Sequence, residues 1–411
     1  MRCFYNIGIR CYYLLVWIVS LRNEKARKWI EGRKDIFRRL SETIKPGEPL
    51  LWFHASSLGE FEQGRPVIES IKKQKTDYKI LLTFFSPSGY ELRKDYPYAD
   101  YVFYLPLDTR KNAATFIEIV KPEKAFFIKY EFWFNFLTEL KKQHIPTYIF
   151  SALFRPSQIF FKPWGKWYGK ALTTYEHIFV QNQESFDILH QHGFNNVDIC
   201  GDTRLDAVGE IADAAPHLEK MEVFCGNNKA IVAGSTWKED EDLVIRYINE
   251  NISKQKFVIA PHEVNKQSIE RITGALTKPY SLYSSSTNDE ISKSNVLIVD
   301  GYGYLLSVYR YGLFAYVGGG FTTGIHSILE PAAFGLPVIF GPDYHKFQEA
   351  HDLLKLGAAN FISDYEEFAF IMNEYQLNND MLSKASEIAL NYVNKNRGAS
   401  KEIVKYLFGK H

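Results

Sequence analysis

The segment Leu51-Trp-Phe-His-Ala-Ser-Ser-Leu-Gly-Glu60 runs from an apolar stretch through a small-residue turn to a carboxylate. The pattern predicts a strand, a turn and a helix beginning near Phe61 or Glu62. It places Ser56, Ser57, Gly59 and Glu60 at a strand-to-helix junction. A carboxylate there stays ionised, because the helix dipole favours the anion. Two readings stand: a base that deprotonates a hydroxyl, or an acid that only caps its own helix.

Four other segments carry similar promise. Ser86-Pro-Ser-Gly89 is turn chemistry, and Ser88 is placed to cap a helix. Lys129 and Glu131 end a buried-looking strand, a costly place for charge without partners. They are either functional or a local ion pair. Arg204 follows the strand-like Val197–Cys200 and suits either a phosphate or carboxylate contact or a domain-linking salt bridge. Finally, Phe314–Val317 opens into Gly318-Gly319-Gly320, and Gly324-Ile-His326-Ser327-Ile-Leu-Glu330 follows. A strand, a glycine loop and a helix start make an anion site from backbone N–H groups. If the helix begins near Ile325, His326 and Glu330 share one face.

These segments need a scaffold. Leu50–Ala55, Lys79–Phe85, Tyr101–Leu105, Ala125–Lys129, Thr147–Ser151 and His177–Gln181 read as buried strands with helical patterns between them. The alternation pauses over 205–228. It restarts with Ala230–Gly234, Phe257–Ala260, Val296–Val299, Phe314–Val317 and Pro337–Phe340. Tyr280–Asn288, rich in serine, reads as a surface loop. Two consecutive doubly wound α/β domains are expected, 23–207 and 208–411, with the active site in the cleft between them.

Residues 1–22 differ in kind. From Cys3 to Leu21 only Arg10 is charged, and Arg2 and Arg10 are placed to snorkel. A basic stretch from Arg22 to Arg39 follows. A membrane anchor or an interfacial helix fits best, with the rest of the chain on the cytoplasmic side and anionic lipid as a partner; an ordinary buried amphipathic helix and a cleavable signal, for which no small-residue site follows Leu21, are the other readings.

Composition excludes several classes. At 411 residues, 46% hydrophobic and 24% charged, the chain can build two cores. Its net charge of +1 gives no global field for nucleic acid. Cys3, Cys11, Cys200 and Cys225 form no CxxC pair and match no zinc spacing, so reduced structural thiols are expected. There is no P-loop, no GxGxxG with its spaced acid, and no nucleophile elbow.

His54-Ala-Ser-Ser-Leu-Gly-Glu60, Ser86-Pro-Ser-Gly89, Tyr104-Leu-Pro-Leu-Asp108, Glu131-Phe-Trp-Phe-Asn135, Gly201–Asp206 and the run from Val317-Gly-Gly through Leu329-Glu-Pro-Ala-Ala-Phe-Gly-Leu-Pro to Gly341-Pro occur in order over about residues 50 to 360. Together they resemble the 3-deoxy-D-manno-octulosonic acid (Kdo) transferases. The resemblance implies a GT-B fold: two Rossmann-like domains facing a central cleft, here with an N-terminal membrane-associated helix. It implies inverting transfer of Kdo from CMP-Kdo to the tetra-acylated lipid A precursor at the inner membrane, without a metal or other cofactor.

In that family Glu60 matches the catalytic base, and Arg204 a basic position that stabilises developing charge. Glu131 and Lys129 fall where acids flank a Trp. Ser327, Ile328, Leu329 and Glu330 match the CMP-binding run, where the acid typically grips the ribose. Tyr302, Gly303 and Tyr304 fall on a loop around the nucleotide, and Pro261 and His262 on another nucleotide-contacting turn. Three positions depart from the pattern: Lys129 replaces a usual Glu, Pro261 a usual Arg, and Tyr304 a usual Glu. A sugar-nucleotide epimerase would share the glycine loop and Glu330. It would need neither the membrane segment nor the His54–Glu60 motif.

Overall fold

A computed structural model describes residues 2–251 and 254–409, with the side chains of Arg2, Cys3 and Lys166 outside that description. The expectations for the Arg2 and Cys3 side chains therefore lie outside the described residues. The chain divides into two compact units, Met1–Asp206 with Gly398–His411, and Ala207–Arg397.

The first unit holds strands β1 (Leu50–Ala55), β2 (Lys79–Phe84), β3 (Tyr101–Tyr104), β4 (Lys124–Ile128), β5 (Thr147–Ala152), β6 (His177–Val180) and β7 (Val197–Ile199). They form one parallel sheet in the order β3-β2-β1-β4-β5-β6-β7. Successive residues serve opposite faces. Leu50, Trp52, Phe127 and Ile149 pack into one core. Leu51, Phe53, Phe126 and Phe150 pack into the other. Burial on both faces explains why these strands read as continuous apolar runs.

The second unit repeats the plan with β8 (Ala230–Thr236), β9 (Phe257–Pro261), β10 (Tyr280–Leu282), β11 (Val296–Ile298), β12 (Gly312–Val317), β13 (Val338–Phe340) and β14 (Ala359–Phe361). Its parallel order is β10-β11-β9-β8-β12-β13-β14. Each sheet has one switch point, where the chain leaves a central strand in both directions: β1/β4 and β8/β12. Ligands of doubly wound sheets bind at the carboxyl ends of those strands. The His54–Glu60 and Lys129–Glu131 segments lie at the first, and the glycine cluster at the second.

Several expectations need correction. Residues 205–228 are largely helical, covering parts of Thr203–Ala214 and Glu219–Cys225. Tyr280–Asn288 is not all loop: it begins with β10, whose Ser281 is buried and shares a hydrogen bond with Ser294 at 2.7 Å. The C-terminal helix Ala399–Phe408 returns to the first unit, so the expected span 208–411 is too long. The cause is local. Asp206 accepts the backbone N–H of Gly398 and of Ser400, and Ile403, Val404 and Leu407 join the first unit's core.

Helices α1 (Arg2–Ser20), α2 (Glu24–Glu31) and α3 (Ile36–Thr43) precede β1. No helix among the described residues is long and apolar enough to cross a membrane. One face of α1 docks on the unit. The Tyr5 hydroxyl donates to buried Asp108 at 2.6 Å, and Tyr12 meets Trp29 and Phe85 ring to ring. The other face presents Phe4, Ile7, Leu14, Leu15 and Ile18 to solvent, all at least half exposed. Their spacing is that of one helical stripe. Arg33 anchors α2: its guanidinium donates to the carbonyls of Trp29, Phe85 and Leu105 and lies 3.9 Å from the Trp29 ring centroid.

Candidate active site

In the first half of the chain, a site is built at the ends of β1 and β4. Helix α4 (Leu58–Gln74) starts directly after Ser57, whose extended backbone stands at the N-cap. The Ser57 hydroxyl donates to the Glu60 carboxylate, and the backbone N–H groups of Ser57 and Glu60 also favour its charged form. Glu60 thus touches its own helix start without being consumed by it. Burial pushes its pKa up, and the charge of Glu131 pushes it further; Lys129 pulls the other way. The expected effect of the helix start is present but outweighed. A carboxylate with raised pKa is a stronger base once ionised.

Glu131 is buried and heavily bound. Its Oε2 accepts from the Ser56 hydroxyl at 2.7 Å and from the Trp133 indole N–H at 2.5 Å. His54 Nε2 lies 3.3 Å from the same oxygen, without hydrogen-bond alignment. On its other side, His54 Nδ1 is 2.9 Å from Thr83 Oγ1, which accepts the Trp52 indole N–H at 2.8 Å. A row of polar groups therefore runs from Trp52 to Ser56, hydrogen-bonded except at the His54–Glu131 contact.

The remaining motifs brace this arrangement. The backbone N–H of Ser86 donates to the Ser56 carbonyl at 2.8 Å, and the Ser86 and Ser88 hydroxyls share a hydrogen bond at 2.6 Å. Ser88 thus braces a turn; the helix there, α5 (Pro87–Arg93), has no side-chain cap. Lys129 adopts φ +68°, and Ser151, at the neighbouring strand end, φ +54°. Non-glycine residues in the left-handed region carry strain and cluster at functional sites. Arg204 grips Asp202 through Nε at 2.8 Å and a terminal nitrogen at 2.6 Å. It is close enough, with Glu60 and Arg155, to bias the Tyr130 hydroxyl. Sequence reasoning missed Arg155. Lys129 and Glu131 thus act on Glu60, and Glu60, Arg155 and Arg204 act on Tyr130.

In the second half of the chain, another site lies at the ends of β8, β9 and β12. Here the helix expected from Ile325 is absent. Residues 321–328 form turns and extended chain, and the helix is the short Leu329–Ala333. The loop is held by its own backbone: Gly324 N–H donates to Gly319 O, His326 N–H to Gly318 O, and Ile325 N–H to Asp343 O. Gly319 and Gly324 take φ +96° and +107°, which only glycine adopts freely. His326 and Glu330 therefore do not share a helix face, and no helix start lies at Ile325–His326. Glu330 sits in the first turn of the short helix, with Ser327 and Ile328 just before it.

Two residues that sequence reading passed over organise this half. Asp240, fully buried, accepts from Tyr316 O–H at 2.6 Å, Gly319 N–H at 2.9 Å and Trp237 N–H at 2.9 Å. A Cβ on Gly318 would lie 2.7 Å from the Asp240 carboxylate, so the glycine lets the clamp close. Trp237, His262 and His326 stack, with ring centroids 4.6 Å apart for the first pair and 4.4 Å for the second. The Trp237 indole N–H donates to His326 Nε2 at 3.0 Å. Burial and neighbouring His262 push the His326 pKa down to about 4. A neutral imidazole accepting at Nε2 carries its proton on Nδ1 and can donate there.

Pro261 ends β9, and His262 N–H donates to Thr236 O at 2.9 Å. The exposed Tyr302 accepts the Val264 N–H at 3.1 Å, tying the loop around Gly303 (φ +88°) to the His262 turn. Tyr304 rests on Tyr283, ring centroids 4.7 Å apart. Buried Tyr309 senses the charge of Glu330. The structure thus gathers Pro261, His262, Tyr302, Gly303 and Tyr304 on adjoining turns, and Gly319, His326, Ser327, Ile328, Leu329 and Glu330 on the other side of the switch point.

Two doubly wound units of this kind define the GT-B fold. Solved structures share the fold at low identity. A UDP-GlcNAc 2-epimerase from Neisseria meningitidis, bound to UDP-GlcNAc, matches with TM-score 0.62 at 18% identity, over 87% of this chain and 99% of its own. MurG from Acinetobacter baumannii matches with TM-score 0.59 at 11% identity, over 87% and 98%.

Within that fold the likeness in sequence is specific. Residues 32–207 match the model of the 3-deoxy-D-manno-octulosonic acid transferases. A transferase of that name from Aquifex aeolicus (strain VF5) is 27% identical over 78% of this chain and 84% of its own length. Another, from Rickettsia bellii (strain RML369-C), is 26% identical over 97% and 96%. The likeness to these Kdo transferases thus runs over most of the chain.

Proposed function

We propose that the protein transfers Kdo from CMP-Kdo to the tetra-acylated lipid A precursor (lipid IVA) in lipopolysaccharide core synthesis, with inversion and with Glu60 as base. The observation that carries this reading is the Glu60 environment, a carboxylate at a switch point made more basic by burial and by Glu131. In the proposed step an acceptor hydroxyl oxygen attacks the anomeric carbon of Kdo. Glu60 takes the hydroxyl proton, and the bond from that carbon to the phosphate oxygen breaks with its electron pair leaving on CMP. Attack opposite the leaving group inverts the centre. Arg204 meets developing charge. Lys129 takes a different part from the acid usual at its position, offsetting negative charge around Glu60.

On the donor side, Glu330 suits ribose hydroxyls, and His326 Nδ1–H suits a phosphate or carboxylate oxygen. The step as proposed uses no metal. The exposed stripe of α1 and the basic stretch after it suit a helix lying in the interface at the cytoplasmic face of the inner membrane.

Incubation with CMP-Kdo and lipid IVA should shift the lipid mass by whole Kdo units, unchanged by EDTA. An unmodified lipid with folded enzyme would overturn the reading. The same spectra count the sugars added. CMP at about 100 times its Kd should raise thermal stability by about 2.7 kcal/mol, and UDP should not. Equal protection by UDP would favour a different nucleotide sugar.

A further inference from the structure

Two cavities lie along α1, apart from the reaction residues. One, of about 650 Å³, has a mostly apolar surface, with Tyr13, Ile30, Ile36, Phe37, Pro106 and Leu107 in its lining beside charged residues of both signs between Glu31 and Arg38. The other, of about 560 Å³, is lined by Arg10 of α1 and by Thr109, Arg110, Lys111 and Ala114 at the start of α6 (Arg110–Val120), with Asn6 and Ile7. They adjoin along both helices: Arg10 and Tyr13 are one turn apart on α1, and Lys111 precedes Asn112, which lines the first cavity.

The two cavities differ in chemistry. The second has three cations and no acid among its lining residues, and among the described residues none of the three forms an ion pair. The nearby acids are committed elsewhere. Asp108 accepts from Tyr5 and from the backbone N–H groups of Asn135 and Phe136. Glu139, whose charge reaches Arg110, binds Lys142 and Gln143. The pocket wall is also fixed, because Tyr5 and the Asn135–Asn6 hydrogen bond at 3.0 Å pin α1 beside α6. A largely apolar cavity, its charges of both signs, beside a purely cationic one suits an amphiphile with an acidic head. The exposed stripe Phe4-Ile7-Leu14-Ile18 runs along the same helix and would bring lipid to it.

We propose that this pair of cavities is a site for one acidic membrane phospholipid, its phosphate held by Arg10, Arg110 and Lys111 and an acyl chain in the largely apolar cavity. The proposal rests on the interfacial reading of α1. It adds a discrete headgroup site to what would otherwise be diffuse attraction. A seated lipid would fix the roll of α1 on the bilayer, and so the presentation of the unit to its lipid acceptor.

The test is vesicle binding by the full chain, on phosphatidylcholine alone and with added phosphatidylglycerol. Arg110→Ala/Lys111→Ala should weaken binding to phosphatidylglycerol vesicles about tenfold to thirtyfold. Ala114→Phe, which fills the cavity and removes no charge, should abolish most of the preference for phosphatidylglycerol and leave binding to phosphatidylcholine as in wild type. Lys25→Ala/Arg27→Ala removes the same charge from exposed α2 positions and should matter far less. Equal losses from both charge pairs, with the Ala114→Phe preference intact, would reduce the site to diffuse electrostatics. An Ala114→Phe effect seen with lipid IVA and not with phosphatidylglycerol would assign the pocket to the acceptor and overturn the proposal. Leu14→Glu/Ile18→Glu separates the two readings: wild-type binding of that variant to neutral vesicles would remove the interfacial reading whatever the pocket variants do.

Discussion

Replacing Glu60 with glutamine should lower kcat for Kdo transfer by about a hundredfold to ten-thousandfold and leave folding and CMP protection near wild type. Glutamine keeps the volume and can still accept from the Ser57 hydroxyl, so the helix start survives the change. What it loses is the capacity to take a proton. Full activity in the purified variant would remove Glu60 from the base role. The wild-type pH profile supplies a second readout. As the proposed base, Glu60 must be ionised for transfer, and burial with Glu131 raises its pKa above the ordinary glutamate value. On acidification the rate should therefore begin to fall at a higher pH than an ordinary glutamate would give. A limb at the ordinary position would mean that this environment does not govern the base.

Much of this site was legible because its chemistry sits on strand ends. A parallel strand buried on both faces writes a continuous apolar run, so Leu50–Ala55 could be read to its boundaries, and the polar residues that follow had to lie at the sheet's edge. Glu60, Lys129, Glu131 and Arg204 were found in that way. What was not legible depends on contacts distant in sequence. Asp240 stands with Glu239 and Glu241 in the first turn of one helix, and only its bonds to Tyr316 and Gly319 mark it as the clamp of the glycine loop. Trp237 carries no local signal of its part, which is its indole bond to His326. The glycine loop itself misled. Glycines followed by His, Ser and Glu suggested an immediate helix, but left-handed turns at Gly319 and Gly324 carry the chain through eight further residues before helix begins. The return of Ala399–Phe408 to the first unit depends on Asp206, nearly two hundred residues away, and local pattern contains no trace of it.

Replacing Glu131 with glutamine should do more than loosen the site. Its Oε2 accepts from both Ser56 and Trp133 and faces His54, so an amide oxygen in its place is a weaker, neutral acceptor for both donors and loosens the turn that holds Glu60. Misplacement of reacting groups by about 1 Å can cost about a hundredfold, and a loss of that order is expected in kcat. A merely structural residue would do no more. The charge of Glu131, however, is one of the causes that raise the Glu60 pKa, and removing it lets that pKa fall toward the ordinary value. The acidic limb of the rate profile should therefore move to lower pH in Glu131→Gln, while Glu131→Asp, which keeps the charge, should hold the limb near its wild-type position even where its rate drops. A lost rate with an unmoved limb in the glutamine variant would reduce Glu131 to a brace for Ser56 and Trp133. A moved limb would make the two carboxylates one electrostatic unit, with one acid serving as base and the other setting how readily it takes the proton.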